Sequence, residues 1–262
     1  RPTFLELLDD ADVDARVVLV DAWTSVGGSQ FVDSSGTGRY HTYLCDEIVP
    51  FVDSRYASNG LRGVAGKSSG GYGAMVTPML RPDLFGGFAT HAGDALFEVC
   101  YQPEFPQAAR ALRDQYGGSF DAFWADFRSR PGRAKPGDAA LVNEWAMAAC
   151  YSTDPDGRVR LPFDVSTGRL VPEVWERWLA WDPVRMAPER ADALRSLRGI
   201  WIDAGTSDEY HLDLGAEAFR QALADLGIGE PAVRFELFPG THGGIEWRYP
   251  EAIGWLAERL TA

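Results

Sequence analysis

Short runs of apolar, β-branched-rich residues alternate along this chain with segments whose apolar residues recur at helical spacing. Five runs stand out: VVLVDA (17–22), GVAG (63–66), FGGFAT (85–90), GIWIDAG (199–205) and VRFELF (233–238). Near-continuous hydrophobicity of this length marks strands buried on both faces of a parallel sheet. Between them, YLCDEIVPFVDSRY (43–56), EAFRQALADLGIG (217–229) and EAIGWLAERL (251–260) read as helices, the second ending on glycine as helices often do. Strand–helix alternation predicts an α/β sandwich around a parallel central sheet. Residues from about 100 to 195 break the rhythm with FDAFWADFRSR, DAALVNEWAMAACY and PEVWERWLAWDPVRM, all helical and rich in Trp and Phe. An insertion this long between core strands predicts one domain, 1–262, carrying a helical cap over a site; a second packing layer without function is the alternative.

Composition narrows the class. The chain has 262 residues, 45% of them apolar and 24% charged, which is a globular balance with enough length to bury a core. No run approaches the ~20 apolar residues of a membrane span, so a soluble protein is expected. A net charge of −13 argues against nucleic acid or an anionic membrane surface as partner. Cys45, Cys100 and Cys150 form no CxxC pair, so no metal site built on cysteine is expected. One disulfide or three buried thiols both fit, and the compartment stays open between cytoplasmic and secreted. The chain begins at Arg1 with no signal sequence, which leads to the expectation of an upstream piece.

The chemistry concentrates in GVAGKSSGGYG, residues 63–73. A strand, a sharp turn and a helix put the residue at the apex into positive φ, and its neighbours two before and two after are then expected to be tiny. Gly66-Lys67-Ser68-Ser69-Gly70 fits G-x-S-x-G around Ser68; centring on Ser69 puts the large Lys67 at a flank. Ser68 is therefore the candidate nucleophile. The Ser69 N–H, at the start of the helix, is the candidate oxyanion donor.

A serine hydroxyl needs a base, and the base needs an acid to orient it. His242 lies in FPGTHGGIEW, between the last strand and the last helix, and is the candidate base. The loop after GIWIDAG offers Asp208 as acid, with Glu209 as rival; Asp203 falls inside the strand. Asp208 serving only as a helix N-cap is the bland alternative. His91 and Asp94 follow the strand beside the nucleophile, and with Trp23 they are candidates for lining a pocket. For any one Trp, burial in the core is favoured.

GKSSGGYGAM, GTSDEYHLDLGA and FPGTHGGIEWRY, in that order, resemble the esterase-D/antigen-85-type branch of the α/β-hydrolase fold, the "putative esterase" family. SSGTGRYHTYLCDEIVPFVDSRY is similar to that family's helix before the nucleophile strand. The resemblance implies serine-dependent hydrolysis of a small-molecule or carbohydrate ester or thioester, or acyl transfer to a sugar hydroxyl, with no metal or organic cofactor. It carries Ser68 over as nucleophile, Asp208 as acid and His242 as base. It also aligns 17–22 with the strand after the oxyanion loop, so that loop and the first strands are missing from this chain. No His-Gly pair precedes Ser68 to supply the second oxyanion donor. An open strand edge then implies a homo-oligomer or a further segment completing the sheet. A silent member of the fold, serving as a binding module, is the rival reading.

Overall fold

The computed structural model describes residues 2–11 and 13–262. At its centre is one four-stranded, fully parallel sheet of β1 (Gly63–Ser68), β2 (Gly87–Gly93), β3 (Gly199–Gly205) and β4 (Val233–Phe238), paired in the order β1-β2-β3-β4. Four of the five predicted runs are these strands. The run predicted at 85–90 is displaced toward its carboxyl end, spanning Gly87–Gly93 instead of stopping at Thr90.

The fifth, 17–22, forms no strand. Val17, Val18 and Leu19 are exposed at 43%, 47% and 60%, and β1 is an edge of the sheet. An apolar run specifies a preference for burial, but a strand exists only where a neighbour accepts its hydrogen bonds. The free side of β1 is left unpaired, and 17–22 joins no ladder.

Both faces of the sheet are covered, which explains the continuous hydrophobicity of β2 and β3. Along β2 the side chains alternate: Phe88 meets Phe219 of α6 (Leu212–Asp225), while Ala89 packs with Trp201 and Ala252 of α7 (Arg248–Thr261). The helix that follows the first strand, α1 (Ser69–Leu80), packs on β1 and β2.

On the α7 face one row of polar side chains crosses three strands. His91, Asp203 and Glu236 are register partners, and Arg248 at the start of α7 lies across them. Asp203 Oδ1 is 2.7 Å from His91 Nδ1, and its Oδ2 accepts from Trp201 Nε1 at 2.7 Å and Arg248 Nε at 2.9 Å. The other arm of Arg248 holds Glu236. Burial raises the Asp203 carboxyl, but its bonds to His91, Trp201 and Arg248 outweigh this and keep it below the ordinary aspartate range. Asp203 and His91 are fully buried, so each depends on the others for compensation.

The chain divides into two compact units: 1–21, 41–100 and 182–262 make the first, 22–40 and 101–181 the second. The first holds the sheet and also the helical stretch Tyr43–Ile48 and Val49–Arg55, where the helix after Thr42 widens into a π turn. The second unit is helical, with α2 (Phe105–Tyr116), α3 (Phe120–Ser129), α4 (Asp138–Tyr151) and α5 (Pro172–Leu179). Its aromatic residues make its core. Trp178 is fully buried against Phe105, Tyr101 and Tyr151, and its Nε1 donates to Ser152 Oγ at 2.8 Å. The Gln30 amide donates to the hydroxyls of Tyr101 and Tyr151.

Cys45, Cys100 and Cys150 are buried thiols with no disulfide between them, and burial pushes Cys150 up to about 12. No helix among the described residues is long and apolar enough to cross a membrane.

Asp203→Ala leaves Arg248 and His91 buried without their shared acceptor. We expect it to lower stability by about 3–5 kcal/mol, read from urea melts.

Candidate active site

Ser68 ends β1 and caps α1 with φ 56° and ψ −125°, the sharp strand-to-helix bend that the sequence predicts. A non-glycine residue at positive φ costs on the order of 1–3 kcal/mol and persists only where its surroundings enforce it. Two close approaches do so. A Cβ on Gly66 would lie 2.1 Å from the Gly70 carbonyl oxygen and 2.2 Å from its carbon, so strand and helix touch backbone to backbone. A Cβ on Gly71 would lie 2.7 Å from Gly93 Cα and 2.8 Å from Thr90 Oγ1, which itself donates to the Gly71 carbonyl at 3.1 Å.

The expectation that the glycine two residues after Ser68 must be tiny needs correction. A Cβ on Gly70 meets nothing within 4 Å. The helix turns Gly70's side-chain position outward, and only its main chain is crowded. The second position with no room is Gly71, one residue later.

Strand β2 bends in step with this turn. Lys67 pairs with His91 but Ser68 pairs with Gly93, leaving Ala92 as a bulge at φ 45°. Ser69 is the first residue of α1, so its N–H has no acceptor a turn back in the helix. It is therefore available to an anion near Ser68.

Acid and base come from the same edge of the sheet, because all four strands are parallel. Asp208 follows β3 and is buried; His242 follows β4 and is partly exposed. His242 Nδ1 lies 2.8 Å from Asp208 Oδ2. Asp208 Oδ1 accepts from the Tyr210 N–H at 2.9 Å, and the Tyr210 ring meets the His242 ring edge-on at 4.9 Å. Burial raises the Asp208 carboxyl, but the bonds from His242 and the Tyr210 and Leu212 main chain prevail and hold it below the ordinary aspartate range.

Glu209, the rival acid, takes another part. Its Oε2 accepts from the His242 main-chain N–H at 2.9 Å. This bond lowers its pKa. Adjacent carboxylates thus bind the ring and the backbone of one histidine.

The three pocket candidates fall in three different places. His91 is fully buried and bonded to Asp203 on the α7 face, so it is part of the core and lines no open site. Sequence position beside the nucleophile strand does not reveal which face a side chain takes; the period-2 count from Phe88 would have. Asp94 is buried just past the carboxyl end of β2, at the edge that also bears Ser68. Trp23 is 78% exposed in a two-residue ladder with Gly27–Gly28, within the second unit.

Asp182 was not signalled by the sequence motifs. It is fully buried and accepts from the N–H groups of Leu96, Phe97 and Val184 at 3.1, 2.8 and 2.9 Å. It fixes the segment leaving β2. An Asp-Pro pair opening a helix, Asp182-Pro183, is the signal that could have found it. No cluster of three or more metal-binding side chains occurs among the described residues.

A model of the family described as "Putative esterase" matches residues 21–248. No curated protein matches the sequence. Among solved structures, MPT51 of Mycobacterium tuberculosis is 18% identical with a TM-score of 0.52, the match covering 89% of this chain and 75% of that one. An S-formylglutathione hydrolase from Agrobacterium tumefaciens is 17% identical with a TM-score of 0.49, over 89% of this chain and 64% of its own. A ferulic acid esterase is 16% identical with a TM-score of 0.45, over 88% and 64%. The chain spans just under two thirds of the length of these last two. At such identity the likeness to MPT51 is one of fold.

Gly66→Ala should cost about 3 kcal/mol or prevent folding, because backbone cannot yield. Gly70→Ala should stay within about 0.5 kcal/mol of the parent, as an open helical position. Thermal melts by circular dichroism separate the two. The pH dependence has a definite sign. Because the Asp208 pKa is lowered on folding, its contribution to stability is complete above its unfolded value near 3.8 and is lost as pH falls through the folded value. The stability advantage over Asp208→Asn should therefore shrink as the pH falls below about 4, followed by urea melts at descending pH.

Proposed function

The chain belongs to the "Putative esterase" family, and from that premise we propose that it is a serine ester hydrolase working through an acyl-enzyme on Ser68. The observation that carries the proposal is the Asp208–His242 bond of 2.8 Å, at the sheet edge where Ser68 is held at positive φ.

The chemistry follows from those groups. Nδ1–H of His242 donates to Asp208, which leaves the Nε2 lone pair as base. Nε2 takes the Ser68 proton as Oγ attacks the acyl carbonyl, and the Ser69 N–H donates to the oxygen that becomes an oxyanion. Collapse breaks the ester C–O bond, and Nε2–H protonates the departing alcohol. Water, deprotonated by the same nitrogen, then attacks the acyl-enzyme and releases the carboxylic acid and free Ser68.

Distance is the main demand on this scheme. Neighbouring strands lie about 4.8 Å apart, so β1 and β4 are separated by about 14 Å. The His242 ring is bonded to Asp208, which follows β3, the strand between β4 and β2. A sugar hydroxyl in place of water would make the same machinery an acyltransferase, and a carbohydrate ester is the finer substrate proposal. The rival reading is a silent binding module that keeps the fold without turnover.

A fluorophosphonate probe tests the enzyme reading against the silent one. Covalent labelling at Ser68, found by peptide mass spectrometry and lost in Ser68→Ala, is expected. Hydrolysis of p-nitrophenyl acetate should fall by about 10⁴-fold or more in Ser68→Ala or His242→Ala. An unlabelled, inactive parent protein removes the enzyme reading.

A further inference from the structure

The loop that bears His242, between β4 and α7, has little of its own to hold it. It contains Gly240, Gly243 and Gly244, and Ile245 is its one deeply buried apolar side chain. What fixes it is the neighbouring loop after β3. The β3–β4 ladder ends at Gly205 and Phe238, but its bonding continues: Thr206 N–H donates to the Phe238 carbonyl at 2.9 Å, and Ser207 N–H to that of Gly240 at 2.8 Å. The two backbones touch here, since a Cβ on Gly205 would lie 2.5 Å from the Gly240 carbonyl oxygen.

Beyond Gly240 the main-chain ladder stops, because the β3 loop turns away at Asp208, whose own N–H bonds back to Gly205. At that point the Glu209 side chain supplies the next acceptor, Oε2 at 2.9 Å from the His242 N–H. We propose that Glu209 is a positioning residue: its carboxylate acts as a surrogate strand carbonyl that extends the ladder by one bond and sets the main chain of His242. Asp208 orients the ring and Glu209 the backbone from which the ring projects. Neither bond can replace the other. A ring bonded at Nδ1 still swings about that bond if its Cα is loose, and an angstrom of displacement at a base costs up to about 100-fold in rate.

This inference rests on the esterase reading for its catalytic consequence but not for the bond itself, so two readouts are used on the full chain. In Glu209→Ala, kcat for p-nitrophenyl acetate should fall about 10-fold with KM within about twofold, and Glu209→Gln, which keeps an acceptor oxygen, should restore most of it. Deuterium exchange at the His242 amide should accelerate about 10-fold in Glu209→Ala and not in Glu209→Gln, while exchange along β3 and β4 stays unchanged. Unchanged exchange and unchanged kcat in Glu209→Ala overturn the proposal. A Gln variant as impaired as the Ala variant in both also overturns it, since charge and not the acceptor would then matter. If the parent protein shows no esterolysis while the exchange result holds, the enzyme reading fails and the positioning bond stands.

Discussion

The whole site depends on the contact between Gly66 and Gly70, where a strand and the helix that follows it meet main chain to main chain. Nothing larger than hydrogen on Gly66 leaves room for the reversal, and the reversal is what holds Ser68 at positive φ. A side chain in that conformation stands off the end of the strand instead of lying along either face. The same bend brings the N-terminal amides of α1 to the place where Ser68 Oγ emerges. Gly71 against Gly93 continues the close packing into β2, and the Ala92 bulge accommodates it. The strain at one residue is thus sustained by backbone contacts among Gly66, Gly70, Gly71 and Gly93.

Two aspartate–histidine pairs of nearly identical geometry occupy this sheet, and their surroundings give them opposite roles. His91 and Asp203, 2.7 Å apart, are fully buried beneath α7 and tied to Trp201 and Arg248. That imidazole is closed to solvent, and the row fastens three strands and a helix together. His242 and Asp208, 2.8 Å apart, sit past the strand ends with the imidazole partly open to solvent and the carboxylate covered. Distance alone would not tell them apart. Position along the strand does: a pair in register inside the sheet is structure, and one in the loops beyond its carboxyl edge can meet a ligand.

The acid and base loops also form one object. Bonds from Thr206, Ser207 and Glu209 link the segment after β3 to the segment after β4. Adjacent residues Asp208 and Glu209 divide the task, because a peptide turn points consecutive side chains in different directions. Both carboxylates therefore belong to the description of His242.

By itself the sequence determined the bend, the strands and the order of the site. GVAGKSSGGYG admits one serine at the apex, β3 and β4 match their predicted limits, and Asp208 and His242 were identified by their place after successive strands. These are local properties, set by side-chain volume, periodicity and chain order, and they need no partner to be read. What only the tertiary structure decided are the properties that a second segment confers. Val17–Leu19 carry the composition of a strand but join no ladder and stay exposed. Gly70 looked as constrained as Gly66, yet the helix turns its missing side chain outward. His91 reads as a pocket residue and is a buried partner of Asp203, and Glu209 reads as a spare acid and binds a backbone amide 33 residues away. Hydrogen-bond partners and the face a side chain takes are set by what packs against it, and that is information no single stretch of chain contains.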